Sequence, residues 1–177
     1  MKEIYLLLTR SNTVVSKCIH AATRSDFTHV SLSLDTKFTC LYSFSRKYKR
    51  SPLPAGFVKE SVNDGVMGDS NDMDCAVYKL KVSNSSYKRL IRTLDDMEAN
   101  MDIYRYNVLG LAMCLLRVEK ERKNHYFCSQ FVSHVLIKSG AVQIEKAPSL
   151  VKPMDFLNLP GAEQIFKGSI GQLRSCF

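Results

Sequence analysis

The spacing of apolar and polar residues changes several times along the chain, and each change marks an element. Residues 3–9, EIYLLLT, are a short apolar run closed by Arg10-Ser11-Asn12, which predicts a buried strand. Val14, Val15, Cys18, Ile19 and Ala22 follow at helical spacing behind a capping Ser11 or Asn12, so a helix is expected next. Residues 27–34, FTHVSLSL, alternate: Thr28, Val30, Leu32 and Leu34 fall on one face, Phe27, His29, Ser31 and Ser33 on the other. The even-numbered face is the apolar one, so His29 leaves the strand on the side of the small polar residues, where a cleft is expected. Asp35-Thr36-Lys37 reads as a turn and residues 38–44, FTCLYSF, as the returning strand of a hairpin.

From Ser45 to Asp74 the pattern dissolves into basic residues, Pro52, Pro54, three glycines and a polar cluster. A long loop is expected there, with a short strand at 57–62; a lid or substrate rim and a plain surface insertion fit it equally. Residues 75–82, CAVYKLKV, alternate again. Ser83 to Ser86 can cap a helix that turns Leu90, Ile91, Leu94 and Met97 inward. Tyr104 to Val118 is apolar nearly all round yet too short to span a bilayer, which predicts a buried helix. In His125 to Gly140, Phe131, Val132, Val135 and Leu136 follow Cys128 by three, four, seven and eight residues, the spacing of one helical face. Lys138 and Gly140 mark that helix's far end, and Cys128 its beginning. The tail is punctuated by Pro148, Pro153 and Pro160, with a short strand expected at 164–167. These elements predict one α+β domain over residues 1–177, a small antiparallel sheet or barrel packed against helices.

A cysteine at a helix start meets free backbone N–H groups and the positive end of the helix dipole, and both favour the thiolate. A small hydrophobe buried at a helix start is the competing reading. Thiol catalysis needs an imidazole partner and a group to orient it. His134, six residues after Cys128 in the same helix, is turned about 120° from it, His125 precedes the helix and His20 belongs to the first one. His29, on the polar face of a strand, is the remaining and preferred partner.

Composition narrows the classes further. The 45% hydrophobic and 24% charged residues are those of an ordinary globular chain without repeats or low-complexity tracts. The first fifteen residues carry too short an apolar run for a secretory signal, and a cytoplasmic location is expected. The six cysteines form no CxxC pair and no zinc-ligand spacing with histidine, so reduced thiols are expected, with no metal and no cofactor. Lys and Arg outnumber Asp and Glu 25 to 17, a net charge of +8 that favours anionic partners. The run Arg46-Lys47-Tyr48-Lys49-Arg50 reads as a solvated loop rather than a nucleic-acid site, because no nucleic-acid-binding motif accompanies it. Arg117 to Lys123 reads as a solvated helix end.

FTHVSLSLD, the following LYSFSR and the later YFCSQFVSHVLIKSG resemble the circularly permuted members of the NlpC/P60 (papain-like) superfamily, in which the histidine precedes the cysteine. YNVLGL and the closing IFKGSIG are similar as well. The resemblance implies a permuted papain-like fold and a cysteine peptidase or amidase that needs no cofactor. It implies Cys128 as nucleophile, His29 as base and, at the orienting position on the next strand, Ser43 where many relatives carry Glu or a second His. Serine accepts a hydrogen bond from imidazole but brings no charge, and Asp35 is the charged residue nearest in sequence. Gln130, two residues past Cys128, points away from the thiol. The Cys128 backbone N–H would hold the oxyanion, and Tyr104 and Tyr106 compete as a second donor with a plain packing role. The expected reaction is cleavage of an amide bond in a peptide or peptidoglycan fragment through a thioester. Acyl transfer or thioesterase work on a lipid, as in the lecithin:retinol acyltransferase-like branch, is the alternative within the fold. A catalytically inert binding module is the alternative outside enzymes.

Overall fold

The structure, a computed structural model, describes residues 1–10, 20–21, 24–46 and 55–176. The helix expected over residues 12–22 falls almost wholly outside the described residues, as do 47–54 with most of the basic run. The chain folds into an α+β structure around a six-stranded antiparallel sheet. Its strands are β1 (Lys2–Thr9), β2 (His29–Ser33), β3 (Leu41–Arg46), β4 (Ala55–Glu60), β5 (Asp74–Val82) and β8 (Glu163–Ser169), in the order β4-β3-β2-β1-β5-β8. Two short strands, β6 (Arg105–Tyr106) and β7 (His125–Tyr126), pair in parallel apart from it. The helices are α1 (Gly65–Gly68), α2 (Asn84–Ala99), α3 (Val108–Leu115), α4 (Cys128–Ser139) and α5 (Ile170–Cys176).

β1 is central because it is apolar on both faces: Ile4, Leu6 and Leu8 join one core, Tyr5 and Leu7 the other. The larger core lies between the sheet and helices α2 and α4. There Val30 and Leu32 of β2, Phe44 of β3 and Phe57 of β4 meet Leu90 and Leu94 of α2 and Phe131, Val132, Val135 and Leu136 of α4. Phe131 fixes the helix to the sheet through ring contacts with Phe44 and Phe57, at centroid distances of 5.2 and 5.6 Å. The smaller core, with Phe38, Leu41, Val62 and Met67, is closed by Ile170 and Leu173 of α5, a helix the sequence pattern did not announce.

Ser83 caps α2 as expected, its hydroxyl accepting from the Ser86 N–H at 3.0 Å. The other end of α4 is anchored to the same place: Arg89 Nε donates to the Ser139 carbonyl at 2.8 Å and the Ser86 hydroxyl to that of Gly140 at 2.9 Å. Gly140 takes φ 67°, and Ala141 N–H reaches back to the Leu136 carbonyl, the left-handed termination that glycine allows.

Two expectations are corrected. The stretch 45–74 is not one long loop: β3 runs on to Arg46, and β4 and α1 occupy 55–60 and 65–68. The short strand expected at 57–62 is β4, which begins two residues earlier, at Ala55, because its pairing with β3 extends to Ala55 opposite Arg46. The apolar segment 104–118 is not a buried helix. It forms the eight-residue α3, in which only Gly110 and Cys114 are buried, while Val108, Leu109 and Leu116 stand exposed around it.

Candidate active site

Cys128 opens α4, whose cap residue Phe127 supplies no side-chain acceptor, so the first N–H groups of the helix stay available to other partners. The Ser129 N–H is one of two backbone donors to the Cys128 sulfur, and the Val30 N–H is the other. Val30 can serve because the pairing of β2 with β3 covers only Leu32 and Ser33, which leaves the His29 end of β2 unpaired on that side. The loop after α4 fixes the same turn, since the Ser129 hydroxyl donates to the Val151 carbonyl at 2.7 Å.

His29, partly buried, hydrogen-bonds the Cys128 sulfur. Its Nε2 faces three oxygens: Ser43 Oγ at 3.2 Å, Ser31 Oγ at 3.3 Å and Glu60 Oε2 at 3.4 Å. The two ring nitrogens point apart, so Nδ1 is the one turned to the sulfur. The serine protons have other uses: the Ser43 hydroxyl donates to the Val30 carbonyl at 3.1 Å and that of Ser31 to Glu60 Oε2 at 3.5 Å. Both serines therefore turn lone pairs toward Nε2, and the carboxylate does the same. Three acceptors around one ring nitrogen require that nitrogen to carry a proton.

The electrostatics follow from this arrangement. Burial pushes the Cys128 thiol up, but the His29 charge and hydrogen bond, aided by the Val30 and Ser129 N–H groups, outweigh it and hold the thiol below its ordinary range. Burial likewise disfavours the imidazolium, and the Cys128 thiolate and then Glu60 outweigh it and raise His29. The two shifts run in the same sense, each favouring the thiolate and imidazolium pair over the neutral one. Cys75 and Cys114 show a thiol in this fold where burial is the largest influence: Cys75, with Asp74 adding to it, is pushed up to about 12, and Cys114 is raised too.

Cys128, His29 and Ser43, far apart in the chain, are thus brought together. Glu60 is the residue that reading the sequence missed. Its only signal was a lone acidic residue at the end of the short strand expected at 57–62, and nothing local tied it to His29. The pairing of β4 with β3 sets Val58 opposite Ser43, which carries Glu60 to the same side of the sheet as Ser43 and the odd residues of β2. Asp35 is engaged elsewhere, accepting from the Lys37 N–H at 2.7 Å in its own turn. The remaining histidines stay with local partners. His20 and His125 use Nδ1 on the carbonyls of Ser25 and Lys123, and His134 lies against the Tyr126 ring.

Gln130 is buried away from the thiol, where its Oε1 accepts from Asn107 Nδ2 at 3.2 Å. Asn107 in turn caps α3, its Oδ1 accepting from the Gly110 N–H at 2.9 Å, so α3 is hung from α4 through this amide pair. The two tyrosines separate. Tyr104 packs edge-on against Phe44 and beside Tyr126. Tyr106 sits by the site: burial and then the nearby Cys128 charge raise its pKa, and its hydroxyl makes no hydrogen bond among the described residues. The β6–β7 pairing sets Tyr106 opposite Tyr126, two residues before Cys128.

Beside Cys128 opens a small pocket, partly continuous with solvent. Phe27, Leu111, Leu115, Phe127 and Pro153 make it mainly apolar, and Lys152 stands in its wall. No protein-family model matches the chain, and no curated protein matches it significantly. Among the described residues no helix is long and apolar enough to cross a membrane.

Proposed function

We propose that this protein is a cysteine-dependent hydrolase of permuted papain-like fold, cleaving an amide bond in a peptide or peptidoglycan-type substrate. The observation that carries the proposal is His29 held between the Cys128 sulfur and the Glu60 carboxylate. His29 favours ionisation of the nucleophile by holding its proton, and a charged group steadies that imidazolium. The resemblance puts an uncharged Ser43 at the orienting position and Asp35 is engaged in its own turn, which was the ground for an inert binding module. Glu60 supplies the charge and removes that ground.

The chemistry runs in two halves. The Cys128 thiolate attacks the carbonyl carbon, forming a C–S bond and an oxyanion. As the C–N bond breaks, the imidazolium gives its Nδ1 proton to the leaving amine. In the second half neutral His29 takes a proton from water, whose oxygen attacks the thioester carbon. The C–S bond breaks, the carboxylic acid leaves, and thiolate and imidazolium return. The oxyanion would take the Cys128 backbone N–H at the helix start and the uncommitted Tyr106 hydroxyl as donors.

A second reading, ester hydrolysis or acyl transfer on a lipid by the same thioester, is favoured by the apolar lining of the pocket next to the sulfur. Incubating the protein with peptidoglycan fragments and, separately, with phospholipid vesicles, then searching for a Cys128 acyl adduct by mass spectrometry, chooses between them. Adduct and turnover with the peptide substrate only are expected. Acylation by lipid only would replace the first reading by the second, and a Cys128 no more reactive than Cys75 would defeat both.

A further inference from the structure

Seven large hydrophobic residues stand exposed among the described residues, and five of them, Ile103, Val108, Leu109, Leu116 and Val118, fall within one stretch around α3. Scattered singly they would need no explanation, but grouped they do. On the helix, Val108, Leu109, exposed Ala112 and Leu116 are spaced to share one face. Gly110 and Cys114, on another side, are buried against the protein. Leu111 and Leu115, between these, line the pocket beside Cys128. One two-turn helix therefore forms both a wall of the pocket beside Cys128 and an apolar face that stands exposed among the described residues.

The charges beside this face are basic. Arg105 precedes the helix and Arg117, Lys120, Arg122 and Lys123 follow it, all exposed, against Asp102, Glu119 and Glu121. None of the five cations is paired with a carboxylate among the described residues. We propose that the outer face of α3 docks on an anionic lipid surface, with Leu109 and Leu116 entering the headgroup boundary and the flanking arginines and lysines meeting lipid phosphates and carboxylates. A short helix with an apolar face and cations beside it matches the depth and charge of a bilayer interface. A second copy of the chain fits worse, because a twofold contact through this face would set the same cations against one another. A protein partner fits less well too, since lysine is depleted from protein interfaces. That docking delivers substrate to Cys128 rests on the hydrolase reading above; the docking itself does not.

The test is co-sedimentation of the Cys128→Ala protein, which cannot form a thioester, with vesicles of phosphatidylcholine alone and with about a third phosphatidylserine. Binding to the anionic vesicles is expected to be about tenfold tighter or more, and to weaken with added salt. Leu109→Glu with Leu116→Glu should reduce it at least about tenfold, and Lys120→Glu with Arg122→Glu should reduce it on anionic vesicles only. Absence of pelleting with anionic vesicles, or unchanged pelleting of the leucine variant, would overturn the proposal. So would a dimer in size-exclusion chromatography that Leu116→Glu dissolves while vesicle binding persists. Failure of the hydrolase reading would appear separately, as an unreactive Cys128 in the wild-type protein, and would leave pelleting unchanged.

Discussion

Glu60 Oε2 lies 3.4 Å from His29 Nε2 although the two residues sit on strands separated by β3. Ser43, on the strand between, fills the gap with its own oxygen 3.2 Å from the same nitrogen. The imidazolium is thus held by one charge and two dipoles. Of the three, the Glu60 carboxylate raises the His29 pKa, after the larger effect of the Cys128 thiolate on the ring's other side.

Replacing Glu60 by Gln keeps the shape and removes the charge. The carboxylate is one of the groups that raise His29, so its loss lowers the imidazolium pKa. The ion pair exists between the lowered Cys128 value and the raised His29 value, being lost as pH falls through the first and as pH rises through the second. The alkaline limb of kcat/KM against pH is therefore expected to move to lower pH while the acid limb shifts little. Activity at neutral pH should fall about tenfold to a hundredfold. An unmoved alkaline limb would dissociate Glu60 from the site.

Ser43→Ala should be milder. It removes one of three acceptors at Nε2 and leaves the Val30 carbonyl without the hydroxyl's hydrogen bond, 3.1 Å long in the wild type. A loss in kcat of about threefold to tenfold is expected, together with a stability loss of about 1 kcal/mol in urea unfolding. A loss as large as that of Glu60→Gln would mean that geometry, not charge, governs His29.

Alkylation by iodoacetamide should separate the thiols. Cys128 is expected to react at neutral pH much faster than the other cysteines, because the His29 charge and hydrogen bond hold its pKa below the ordinary thiol range. Cys75 and Cys114, buried and raised, should stay inert in the folded protein. In His29→Ala the opposing charge is gone and burial acts alone, so Cys128 labelling should fall at neutral pH and recover only in alkali. Peptide mapping of the label after timed quenching reads each cysteine separately.

Tyr106→Phe deletes only the hydroxyl. With a donor to the oxyanion lost, kcat is expected to fall about a hundredfold or more while Cys128 alkylation, which develops no oxyanion, keeps the wild-type rate. A parallel fall in both would assign Tyr106 to supporting the thiolate instead.

Gly110 has no room for a side chain: a Cβ there would lie 2.1 Å from Asn107 Nδ2, inside the amide that caps α3 and bonds Gln130. Gly110→Ala should cost about 1–3 kcal/mol, a Tm lower by several degrees in calorimetry, and should loosen the pocket wall carried by Leu111 and Leu115.

The sequence alone determined what short-range periodicity can encode. A continuous apolar run set β1, alternation set β2 and β5 and put His29 on the polar side of its strand, and helical spacing set α2 and α4 and placed Cys128 at a helix start. These readings held because the face a strand or helix buries is written in its own residues. Tertiary structure decided the rest. The strand signal at 57–62 does not say which strand lies beside it, so Glu60 reaches His29 through a pairing with β3 that no local pattern records. The segment around α3 looked buried because it is apolar on all sides, yet apolar composition does not say whether the protein has a surface left to cover it. Here α2 and α4 already fill the large core, and α3 keeps one face on the protein, one on the pocket beside Cys128 and one outside.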